Sequence, residues 1–191
     1  MFRILAVIAV GLSLAPSTWA QATAMRAEPT PQEKQVVADF EKRVNDYIAL
    51  RKKVAGSSPA PTTSAEKLAE TQKQLAAKIR NARHDVGQGN IFTPQIAGYF
   101  HKEIGKTFQG AQGVKIRTSL KHAEPIHGMP VRVNGSYPAD VPLQSTTPSL
   151  LTNLPPLPKE LEYRIVNDDL VLHDIAANII VDFLPHAIPG A

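Results

Sequence analysis

The chain of 191 residues contains no cysteine. That absence excludes a disulfide framework, every thiolate metal site and every cysteine nucleophile. Aromatic residues are few, 6% of the total, with a single tryptophan. Excess charge is small as well, with 21 basic residues against 17 acidic ones. The densest basic run, Arg51-Lys52-Lys53, falls at the end of a helical pattern, where cations complement the helix dipole. A nucleic-acid binder shows clustered basic residues interleaved with aromatics, so no nucleic-acid partner is expected. No apolar run approaches the roughly 20 residues that a spanning helix needs.

The apolar run that does exist, Ile4 to Leu14, follows Met1-Phe2-Arg3 and stops at Ala15-Pro16. A short positive start, an apolar stretch and the small-residue exit to Ala20 make a secretory leader. Residues 1–20 are read as a signal peptide, cut after Ala20 or after Ala22. A lipid anchor would need a cysteine at the cut. The mature chain is therefore expected to be soluble, without a stable membrane anchor, in the periplasm or outside the cell. About 170 residues remain, enough for one core without staples.

Chemical motifs are equally scarce. There is no Gly-x-Ser-x-Gly. Ser64-Ala65-Glu66-Lys67 has a Ser-x-x-Lys spacing, but the Ser-Asp-Asn and Lys-Thr-Gly that accompany it in penicillin-recognising enzymes are missing. Gly87-Gln88-Gly89 follows a helical pattern, the wrong context for dinucleotide binding. The histidines His84, His101, His122, His127, His173 and His186 show no metal-ligand spacing and read as scattered surface residues. His173-Asp174 ends a strand and offers two oxygen or nitrogen ligands. Glu160, Glu162, Asp168, Asp169, Asp174 and Asp182 gather near the C-terminal hairpin, and paired carboxylates hydrolyse glycosides. A turn accounts for Asp168 and Asp169. Asn134-Gly135-Ser136 fits a glycosylation acceptor, relevant only on a eukaryotic export route. No catalytic, cofactor-binding or metal-ligating residue is assigned, and no enzyme activity or cofactor is expected.

Periodicity supplies the architecture. Residues 21–30 form a flexible linker, and 31–124 a helical region. Val36, Phe40, Val44, Tyr47 and Ile48 make one stripe, over a helix from Pro31 to about Val54. After the breaker-rich loop Gly56-Ser57-Ser58-Pro59-Ala60-Pro61, Thr63 and Glu66 have capping-box spacing for a second helix. Its stripe is Leu68, Leu75 and Ile79, and the two helices should form an antiparallel hairpin. Thr93 caps a third helix that buries Ile96, Phe100 and Ile104. Gly98 and Gly105 within it suggest close packing or a helix dependent on tertiary context. Val114 to His122 fits strand or helix, with helix preferred.

Residues 125–158 carry eight prolines and read as irregular extended chain, interrupted by a short helix over Thr147–Leu154. Residues 159–191 form a β-meander with one covered face. Asn167-Asp168 is a two-residue turn that sets Ile165 opposite Leu170 and Tyr163 opposite Leu172. Ile179, Val181 and Phe183 alternate as a third strand, after a bend in which Asn178 takes a left-handed conformation.

Leu154-Pro155-Pro156-Leu157-Pro158, Leu161-Glu162-Tyr163-Arg164, Asp169-Leu170-Val171-Leu172, Asp174 and Ile179-Ile180-Val181-Asp182 together resemble the tail of the periplasmic nickel/cobalt-homeostasis family. That resemblance implies a proline-leucine lead-in to a hairpin and gives no metal-ligand set. Over its length the chain resembles a group of uncharacterised exported bacterial proteins, through Phe40 to Val44, Gly89 to Pro94, Val131 to Asn134 with Tyr137-Pro138, and the tail. The expected fold is α+β: a helical hairpin and third helix, a proline-rich crossing and a small antiparallel meander. The expected function is non-enzymatic binding to an unknown envelope partner. The alternatives are an accessory factor in periplasmic metal homeostasis, and a hydrolase using the acids near the hairpin.

Overall fold

Among the described residues, four helices precede three strands. In the computed structural model, which describes residues 28–56, 63–122, 130–137 and 153–189, α1 spans Pro31–Ala55, α2 Ala65–Ala82, α3 Pro94–Thr107 and α4 Gly110–His122. Strands β1 (Leu161–Val166), β2 (Asp169–Asp174) and β3 (Ile179–Leu184) form an antiparallel sheet in the order β1-β2-β3. Helices followed by a separate antiparallel sheet give the expected α+β class. The leader, the linker before residue 28, the 57–62 loop and most of the expected Thr147–Leu154 helix lie outside the described residues.

Helix α1 begins where Thr30 and Glu33 satisfy each other's backbone amides, a capping box that closes its first turn. Phe40, Val44, Tyr47 and Ile48 are buried along one face, as their spacing requires. The cap of α2 is Ser64 rather than Thr63: the Ser64 hydroxyl accepts from the Lys67 amide and donates to Glu66. Ser64 immediately precedes the first helical residue, so its oxygen alone is placed to reach that amide. Leu68 is exposed, so the buried stripe of α2 starts later than expected and centres on Ala76 and Ile79. Helix α1 packs against both α2 and α3.

Thr93 makes no side-chain cap bond to α3, contrary to expectation. Its carbonyl accepts the first helical bond, from Ala97, while Ile91 and Phe92 just upstream give their amides to Asp182 of β3. The segment Val114–His122 is helical, within an α4 that begins at Gly110. Gly98 and Gly105 have open space where a Cβ would stand, which overturns close packing as their cause. Gly113 is the tight position, since a Cβ there would collide with the backbone of Phe108.

The β1-β2 turn has Asn167 at φ 56° and pairs Ile165 with Leu170 and Tyr163 with Leu172, as expected. Asn178 is left-handed at φ 50°. The third strand departs from simple alternation. A register shift at Leu172/His173 turns Phe183 away from the helices and brings Leu184 into the main core. The second sheet face is also covered, which corrects the one-sided expectation: Tyr137, Val166, Val171 and Ile180 are buried there. Residues 134–137 of the proline-rich region bond to Asn178 and Ile180, extending the sheet beyond β3.

Helices and sheet meet at an aromatic cluster. Phe40, Phe92 and Phe100 lie with ring centroids 5.0–6.0 Å apart, and Tyr163 of β1 packs 6.0 Å from Phe100. Burying each such ring stabilises the fold by roughly 1.5–3 kcal/mol, so one cluster ties α1, α3 and β1 together.

Candidate functional site

Of the acids that the sequence gathers near the hairpin, Glu162, Asp174 and Asp182 are given separate internal roles by the fold. Asp182 is fully buried and accepts hydrogen bonds from the amides of Gly89 (3.0 Å), Ile91 (2.6 Å) and Phe92 (2.9 Å). Asp174, also fully buried, accepts from the Tyr47 hydroxyl (2.7 Å), Arg51 Nε (2.6 Å) and the Ala177 amide (2.9 Å). Burial and the Asp174 carboxylate push the Tyr47 phenol far above its usual range, so it stays a donor. One aspartate therefore pins the loop before α3 and the other pins α1. These carboxylates hold elements in place and have no free oxygen facing a substrate groove.

Glu162 serves a second network, on the far face of the sheet. Its Oε1 bonds Arg164 Nη2 (2.7 Å) and His173 Nδ1 (2.9 Å), while His173 Nε2 lies 3.0 Å from Asn178 Oδ1. His173 is buried, not a surface residue, and the neighbouring Asp174 serves α1, so the two offer no shared metal site. Asn134, at φ 62°, is gripped by α2: Arg83 Nη1 donates to its side chain and Arg80 Nε to its carbonyl. The Asn134 side-chain nitrogen donates back to the Arg83 carbonyl, so the atom that the acceptor pattern would use is engaged internally.

A groove opens on the other side of the loop that Asp182 holds. Its volume is about 600 Å³, within the 300–1,000 Å³ usual for small-molecule sites. Phe92, Pro94 and Ala97 form one wall and Leu184 and Pro185 the other, with Gln88, His101 and His186 at the edges. Both walls are fixed from behind. Asp182 and Arg43, whose Nη1 donates to the Asn90 carbonyl, hold the loop. Gln88 Nε2 donates to the Phe183 carbonyl, and His101 Nε2 lies 3.2 Å from the Pro185 carbonyl. A smaller cavity of about 230 Å³ between α1 and α2 is lined by Arg43 and Arg83, whose guanidinium groups are already bonded within the protein.

His186, at the groove's edge, also belongs to a cluster that no sequence spacing links. Asp168, Asp169 and His186 bring two carboxylate oxygens and an imidazole nitrogen within 4.8 Å of one another. After β3 the chain folds back over the β1-β2 turn: the Ile188 amide bonds the Asp168 carbonyl, and the His186 amide bonds Asp169 Oδ1. His186 Nδ1 stands 2.6 Å from Asp168 Oδ2, and this bond raises the imidazole above its usual pKa of 6.5. Burial raises the Asp169 carboxyl, reinforced by the charge of Asp168. The signal was faint in the sequence, because His186 lies beyond the last strand. Burial of Ala187 and Ile188 is what brings it back.

His84 is exposed beside Asp85, and His101 and His186 share the groove; His127 and the His122 side chain lie outside the described residues. Among the described helices none is long and apolar enough to cross a membrane. No family model, curated protein or solved structure matches this chain.

Proposed function

We propose that the chain is an exported protein of the bacterial envelope that acts by binding, without catalysis, and that the groove between the 88–97 segment and the Leu184–His186 turn receives a small, largely apolar molecule. The leader pattern of residues 1–20 supports export. The carrying observation is the groove itself: about 600 Å³, apolar walls, and a rigid backing set by a fully buried carboxylate. The engagement of Glu162, Asp174 and Asp182 in internal hydrogen bonds argues against a hydrolase built on those acids.

The test uses N-phenylnaphthylamine, a neutral apolar dye that fluoresces when taken out of water. The folded mature chain should bind it saturably, and Ala97→Trp, which fills the groove, should abolish binding while its far-ultraviolet circular dichroism shows the chain still folded. Absence of native-state binding, or unchanged binding by Ala97→Trp, contradicts the reading. Export is checked in the same preparation by mass, which should place the first residue at Gln21 or Thr23.

A further inference from the structure

Asp168 and Asp169 stand side by side at a turn, partly buried, with a third metal-binding group, His186, brought in from beyond β3. Among the described residues this is the one place where three such side chains converge. Two independent observations meet at His186, which completes this trio and also lines the groove. We propose that Asp168, Asp169 and His186 form a binding site for one first-row divalent transition ion, open toward the groove.

The backbone presets the geometry. Asp168 closes the two-residue turn and Asp169 opens β2, both fixed by the β1-β2 register, and the Ile188 amide anchors the returning tail at 3.0 Å to the Asp168 carbonyl. Only side-chain rotations remain. Ligand atoms about 2.0–2.2 Å from a shared ion in tetrahedral geometry lie about 3.3–3.6 Å apart. The trio, within 4.8 Å, thus closes on an ion by shifts of about an ångström. His186 is exposed enough to make them.

The donor set selects the ion. Imidazole disfavours magnesium and calcium, which take oxygen ligands, and the lack of any sulfur donor disfavours copper(I). Zinc, nickel, cobalt and copper(II) accept one nitrogen with two carboxylates, and copper(II) should bind most tightly of them. Three protein ligands leave at least one coordination position open, as in metal sites that also hold an exogenous molecule. An ion here would also relieve the repulsion between two adjacent carboxylates. The site does not require the groove to be occupied, so the two proposals fail separately.

Calorimetric titration of the metal-free mature chain with zinc ions tests it, with magnesium ions as the comparison. One zinc per chain should bind, with a rise in melting temperature, since an ion that binds only the folded state stabilises it; magnesium should give neither. His186→Asn removes the imidazole while keeping a residue that tolerates the left-handed φ of 51°. It should weaken zinc binding by about tenfold or more, as should Asp169→Asn, given that even outer-shell changes cost about 10–100-fold. His84→Asn should leave binding unchanged. No zinc binding by the unsubstituted chain at millimolar concentration, or equal binding by the His186→Asn and Asp169→Asn proteins, would overturn the proposal. Melting temperatures of the metal-free variants distinguish a lost ligand from a lost fold.

Discussion

Single residues carry an unusual share of this structure. The carboxylate of Asp182 satisfies three backbone amides of the loop that forms one wall of the groove. Removing it strands those donors, at about 1–3 kcal/mol for each buried group left unpaired. Asp182→Ala should therefore cost about 3 kcal/mol or more in urea denaturation. Asp182→Asn should recover only part, because its NH₂ must face one of those amides. A cost below about 1 kcal/mol would refute the latch. The sequence showed Asp182 as one acid among six, and nothing local distinguishes a latch from a catalyst. The three loop amides lie ninety or more positions away, so its role depends on the tertiary fold.

His186 behaves differently, because it stays in solvent. The bond to Asp168 raises its folded pKa above 6.5, so the stabilisation is complete below the unfolded value and is lost as pH rises through the folded one. In a proton NMR titration the His186 imidazole should have a midpoint above 6.5. Asp168→Asn should lower that midpoint; an unchanged value would show that the contact is absent in solution.

Elements were more legible than contacts. The stripe of α1, the break at Asn167-Asp168 and the left-handed bend at Asn178 follow from local chemistry, which the sequence carries directly. Strict alternation puts Phe183 on the helix-facing side; a bulge inserts one residue into the pairing and reverses it, and a period-two pattern cannot show where that occurs. The glycines make the same point. Gly98 and Gly105 look like packing positions yet face open space, whereas Gly113 abuts the Phe108 backbone. Gly98→Ala and Gly105→Ala should each stabilise the protein by up to about 1 kcal/mol through helix propensity. Gly113→Ala should destabilise it by about 1–3 kcal/mol through overpacking. Thermal melts of the three variants should move in these opposite directions, and a stabilising Gly113→Ala would contradict the close α3–α4 approach.

At the scale of the whole molecule, a cysteine-free chain is held together by burial and by a few internal polar anchors. The aromatic cluster joins helices to sheet, Asp174 ties the sheet to α1, and Arg80 and Arg83 clamp the 134–136 segment to α2. The α+β class could be read from the order of patterns along the chain. The groove could not, since its walls come from segments near residues 88–101 and 184–186 that no motif links. The groove, and not the internally bonded acids Glu162, Asp174 and Asp182, is the proposed site for the small molecule. The most direct measurement is a map of backbone amide shifts as N-phenylnaphthylamine is added to the folded protein. The account predicts saturable changes confined to Phe92, Ala97, His101, Leu184 and their neighbours. Changes centred on Glu162 and His173, or spread over the surface without saturation, would contradict it.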